Sequence, residues 1–127
     1  MALGAEELRG SSYRDDRNTF VDELYQARGQ AMHSVCLAAS CSAALAHGVH
    51  VETSGITVFE GSPYNPADPT NQSFTLRGSV SLGGPADIIF APQSGEVSAP
   101  AQITVADAFN HASVVSVASD GQITWTH

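Results

Sequence analysis

One stretch of this chain carries sustained helical periodicity, and everything after it reads as strand and turn. From Tyr13 to Ser34 the apolar and small residues fall at Phe20, Leu24, Ala27, Ala31 and Val35, which places them on one face of an α-helix. Asp16 or Asn18 is placed to cap such a helix. Asp22 and Glu23 stand early, where the helix dipole favours anions, and Arg28 and His33 stand late, where it favours cations. A helix over residues 13–34 that buries one face against the rest of the chain is the first expectation.

Beyond it the sequence is punctuated into short runs. Strands are expected over Ser34 to Ala39, Val49 to Thr53, Ile56 to Glu60 and Gln72 to Leu82, the last bent at Gly78. Further strands are expected over Ala86 to Ala91 and Gln102 to Ala106, and Ala112 to Ala118 forms a hairpin with Gln122 to Thr126 across Asp120-Gly121. Pairs such as Val80/Leu82, Ile88/Phe90, Ile103/Val105, Val115/Val117 and Ile123/Trp125 place alternate side chains on a common face. Turn signals recur too often for α/β crossovers, so the sheet is antiparallel. The fold class is α+β: one N-terminal helix packed on an antiparallel sheet or β-sandwich.

This order of parts, together with particular residues, resembles the soluble part of a type IV pilin-like protein, of the minor pilin and minor pseudopilin group of type IV pili and type II secretion systems. Phe20-Val-Asp-Glu-Leu-Tyr-Gln-Ala-Arg-Gly-Gln-Ala-Met32 is similar to the end of that group's long helix, with Ala27-Arg28 and Ala31 its most recognisable part. Ile88-Ile-Phe-Ala-Pro-Gln-Ser-Gly95 resembles a strand and turn of that group, and Val115 to Ile123 its final strand, turn and strand. The resemblance spans residues 13–127 as one domain, helix over 13–34 and β region over 35–127. It implies a non-enzymatic filament subunit that assembles with other pilin or pseudopilin subunits in the bacterial envelope. It also implies contact with the inner membrane only through an N-terminal hydrophobic helix. Residues 1–12 hold too few apolar residues for that helix and read as a linker or cloning remnant. A secreted or surface β-domain for adhesion or ligand binding is the alternative reading.

The length of 127 residues suits one domain with a real core. The formal charge is -8, and Arg77 is the only arginine beyond residue 33, against seven acids there. That balance opposes a surface that tracks nucleic-acid phosphates, which needs clustered Lys or Arg.

Cys36 and Cys41, few and close, are read as one disulfide. His47 and His50 lie nearby, but their spacing does not fit a zinc-finger framework, and they read as polar residues flanking a turn at Gly48. No metal, cofactor or catalytic set is assigned. The G-x-S-x-G, H-E-x-x-H, P-loop and G-x-G-x-x-G patterns are absent. The stretch Gly61 to Asn71, with prolines at 63, 66 and 69, is expected as an extended, exposed, polyproline-like loop. Within it Asn65, Asp68 and Asn71 offer one carboxylate, thin coordination for calcium. Candidate partner contacts are Arg14 and Arg17 at the helix start, and Tyr64 and Asp68 in the loop.

Overall fold

A 28-residue helix, α1 (Ala5–Met32), runs along two four-stranded sheets and touches both. The structure, a computed structural model, describes residues 5–33, 45–76 and 80–126. The helix starts eight residues before the expected Tyr13, so the presumed linker is helical from Ala5 onward. Ala5-Glu6-Glu7-Leu8-Arg9 are good helix formers, and extending an existing helix adds a hydrogen bond per residue. That gain carries the helix through the weak formers Gly10, Ser11 and Ser12. Asp16, Asn18, Asp22 and Glu23 are consequently mid-helix, with no terminus to cap.

The strands are β1 (His47–Glu52), β2 (Gly55–Glu60), β3 (Gln72–Thr75), β4 (Val80–Gly83), β5 (Asp87–Phe90), β6 (Ala101–Asp107), β7 (Ala112–Val117) and β8 (Ile123–Trp125). One sheet has the order β3-β2-β1-β5 and the other β4-β6-β7-β8, with every pairing antiparallel. The single long strand expected over Gln72 to Leu82 is two strands in different sheets. After β3 the chain leaves the first ladder, with the Leu76 N–H bonded to the Ser54 carbonyl; within β4 the Leu82 N–H takes the Thr53 carbonyl, tying the second sheet to the β1–β2 turn. The strand expected over Ser34 to Ala39, and with it Cys36 and Cys41, lies outside the described residues.

The core forms where the helix stripe meets the inward rows of both sheets. Phe20, Leu24, Ala27 and Ala31 are fully buried, as the periodicity requires. They join Val49, Val58, Ile88 and Phe90 of the first sheet and Ile103, Val105, Val115 and Val117 of the second. Trp125 departs from the alternation: it lies at the end of an edge strand and stays 39% exposed.

His47 and His50 flank no turn, because both lie within β1. Gly48 between them is there for close approach, since a Cβ would strike the Ile88 carbonyl and the Phe59 ring. His47 points inward and is completely buried. Its Nδ1–H donates to the Leu45 carbonyl at 3.1 Å, and Nε2 lies 3.2 Å from Glu60 Oε2 on the paired strand. Both ring nitrogens are thereby matched, which is what makes an imidazole tolerable in a core.

Leu24 is the test of the stripe. Leu24→Ala removes buried methylene and methyl groups at the centre of the helix–sheet contact, and urea unfolding should show a loss of about 2–5 kcal/mol.

Candidate functional site

A chain organised on one long helix acts through how that helix is held and which face it leaves free. Its N-terminal half is latched to the second sheet. The buried ring of Tyr13 stacks on His111, with centroids 5.3 Å apart, and its hydroxyl is hydrogen-bonded to Ser113 Oγ on β7. Asp107 sets up this latch. Its Oδ1 accepts the backbone N–H groups of Phe109 and His111 at 2.9 and 3.0 Å, and its Oδ2 lies 2.7 Å from His111 Nδ1. The β6–β7 loop closes around that carboxylate, with Asn110 in the left-handed region, and presents the imidazole to Tyr13.

Burial pushes the Asp107 carboxyl up, but the hydrogen bonds from His111 and Phe109 outweigh it and hold the group below its usual 3.8. Serine, histidine and aspartate thus come together here without forming a hydrolytic triad. Ser113 Oγ is committed to the Tyr13 hydroxyl and is only 1% exposed, so no nucleophile faces solvent.

The other end of the helix is held by the two downstream stretches that carry the sequence resemblance. The Gln93 N–H donates to the Ala31 carbonyl at 2.8 Å, satisfying one of the groups a helix C-terminus leaves open. Gly95, at φ +68°, lies against Met32 and Arg28, and Gly121, at φ +88°, lies against the Gly95 backbone and Arg28. A side chain at Gly95 would press on the Met32 and Arg28 side chains, one at Gly121 on the Gly95 backbone, and either would strain the left-handed backbone. The Val97 N–H to Ser119 carbonyl bond, 3.1 Å, joins the two turns to each other.

Between these anchors the outward stripe is Arg14, Asn18, Asp22 and Tyr25, all exposed. Tyr25 donates its hydroxyl to the Ile123 carbonyl at 3.3 Å. Arg17 is not on this stripe, contrary to its expected place as a surface contact. It is 8% exposed, with its guanidinium beside Asn18 Oδ1 and 6.0 Å from the Tyr13 ring centre. A start at Ala5 rotates no residue, but it turns Arg17 from a terminal cation into part of the packed face. Glu23 is half-buried; burial first, and Asp22 second, raise its carboxyl above 4.5.

The proline loop is turned, not extended. Pro66 and Pro69 each occupy the second position of a tight turn, closed by Asp68 N–H to Asn65 carbonyl (3.1 Å) and Asn71 N–H to Asp68 carbonyl (3.2 Å). Asp68 Oδ1 accepts both the N–H and the hydroxyl of Thr70, and those bonds lower its carboxyl below 3.8. Asn65 Oδ1 is likewise used, by the Ala67 N–H, and the Asn71 amide donates to the Asn65 carbonyl. These side chains fold the loop and do not converge as ligands. Tyr64 packs back on the outward face of the first sheet, stacked on His50 at 4.0 Å and tilted against Phe59 at 5.2 Å. His50 is bracketed by Asp87 Oδ1 at Nδ1, 2.6 Å, and Glu52 Oε1 at Nε2, 3.3 Å. Among the described residues no group of three or more His, Cys, Asp or Glu side chains is placed to hold a metal ion.

No family model matches the chain, and no curated protein does. Solved structures do. Two crystal forms of the type IV minor pilin FimU from Pseudomonas aeruginosa strain PAO1 superpose with TM-scores of 0.70 and 0.66. They cover 94% and 93% of this chain, and 91% and 92% of their own, at 11% and 12% identity. The fold is that of a type IV minor pilin. At such identity the pilin architecture is kept while most of its side chains differ.

The Tyr13 latch of this pilin fold has a pH signature. A carboxyl held low when folded contributes stability that is fully present above its unfolded value and is lost as pH falls through the folded value. Asp107→Asn should therefore flatten the loss of stability as pH falls below about 4 relative to the parent, in urea midpoints taken at successively lower pH.

Proposed function

We propose that the chain is a non-enzymatic subunit of a type IV pilus filament, a minor pilin that assembles with other pilin subunits at the bacterial envelope. The observation that carries this reading is the lengthwise agreement with a minor pilin fold, helix and both sheets together. Two features of this chain fit it. The helix is held at Tyr13 and again at Ala31, leaving a polar and aromatic stripe between them for neighbours. The Ser/His/Asp group around Tyr13 is consumed in holding the helix. No described helix is long and apolar enough to cross a membrane. The same reading extends to a pseudopilin of a type II secretion filament, and the test below separates the two.

The test is a deletion of the full-length gene, complemented by a tagged copy. Tagged protein in sheared surface filaments, with fewer filaments in the deletion strain, is the expected result. Normal piliation and a tag that never co-sediments with filaments would overturn the reading, and lost secretion with normal pili would move it to a pseudopilin.

Arg14 and Arg17 now separate. Arg14→Glu should leave the melting temperature of the domain nearly unchanged and lower incorporation into filaments. Arg17→Glu should cost about 1–3 kcal/mol in the isolated domain, because it places an anion in a packed site next to Asp16. Thermal melts of the two variants check the contrast.

For Cys36 and Cys41 we propose a disulfide, in keeping with an envelope location. Thiol titration of denatured, unreduced protein should find none, and reduction should lower stability by about 2 kcal/mol, the chain-entropy value for so short a loop.

A further inference from the structure

The outward face of the first sheet bears a cleft of about 220 Å³ that the filament reading does not use. Its floor is the β2–β3 ladder, where Thr57 pairs with Ser73 and Gly55 with Thr75, so that the lack of a side chain at Gly55 deepens it. Tyr64 of the proline loop forms one wall, with Glu52 at the rim, and Phe74 lends only its backbone, since it pairs with Ile56 on the core-facing row and its side chain packs against the core. The Tyr64 wall is fixed by its stack on His50, and the loop behind it is closed by its own turns.

We propose that this cleft binds an uncharged sugar ring, one hexose unit of a glycan. Four hydroxyl side chains line it, at Ser54, Thr57, Ser73 and Thr75. Thr57 Oγ1 and Ser73 Oγ lie 2.9 Å apart, and a bonded hydroxyl pair can turn to offer either a donor or an acceptor, as a polyol requires. Glu52, 67% exposed at its side chain, supplies a carboxylate able to accept two ligand hydroxyls in charge-assisted bonds. The Tyr64 ring offers apolar surface to the C–H face of a sugar.

Charge selects against other ligands. No lysine or arginine lines the cleft and its one charged wall is an acid, which disfavours phosphate, sulfate and sialic-acid groups. Its walls are too rich in hydroxyls for a fatty chain. The volume equals about seven waters at ~30 Å³ each, the scale of one sugar ring and below the roughly 300 Å³ where drug-sized pockets begin.

The experiment titrates the isotope-labelled 127-residue chain with the methyl glycosides of glucose, galactose, mannose and N-acetylglucosamine, followed by amide chemical shifts. At least one should give saturable shifts at Ser54, Thr57 and Ser73, with a Kd in the low-millimolar range expected for one ring. Tyr64→Ala should weaken binding about tenfold, while Tyr64→Phe should stay within about threefold, because the ring face is what contacts the sugar. Ser73→Ala, on an exposed edge strand, should weaken it several-fold without disturbing the spectrum elsewhere; it carries the test if Tyr64→Ala loosens the loop. No saturable shift with any of the four up to about 50 mM overturns the proposal. Shifts centred away from the cleft, or shifts unchanged in both Tyr64→Ala and Ser73→Ala, also overturn it.

Discussion

The burial of one helix stripe under two sheets at once is the contact on which the rest of the molecule depends. Phe20 and Leu24 sit at the middle of that contact, and the small Ala27 and Ala31 let the helix descend closely towards its C-terminal end. Fully burying a Leu- or Phe-sized side chain contributes about 1.5–3 kcal/mol, more than any of the exposed ion pairs here can supply. Four-stranded sheets such as these each have one face that needs covering, and the helix covers part of both.

Polar chemistry then refines what burial has set. An acidic chain with few cations must find other partners for its carboxylates, and it uses histidines and backbone N–H groups. His47 meets Glu60 in the core, His50 stands between Asp87 and Glu52 on the outward face, and His111 meets Asp107 under the helix. The His47–Glu60 and His50–Asp87 pairs tie neighbouring strands together, and His111–Asp107 closes the loop between two strands.

Much of this was legible in the sequence, for reasons specific to each element. The Phe20, Leu24, Ala27, Ala31 stripe and the alternating pairs of β4 to β7 report burial directly, because burial is what imposes those periods. The helix start was not legible: Gly10-Ser11-Ser12 reads as a break when propensity is judged locally, whereas propagation is cooperative. Gln72 to Leu82 alternates throughout, and period alone cannot reveal that the chain changes sheets within it. The loop prolines suggested extension, but Asn65 and Asp68 immediately before Pro66 and Pro69 are the turn signal that mattered. Asp107 through His111 carried a signal of the same kind, an acid opening a hairpin loop with an asparagine suited to the left-handed region. The proximity of Tyr13 to Ser113, a hundred positions away, had no local trace.

Anchoring the helix at Tyr13 and again at Ala31 also fixes how the domain bears force. The two attachments are separated by 18 residues, about 27 Å of helix at 1.5 Å per residue. Tension applied along the helix axis pulls its packed face parallel to the sheets. The latch at one end, the turn at the other and the apolar stripe between them are then loaded together, in shear. Peeling would instead break them one after another, and a domain strained lengthwise in this way resists as a unit.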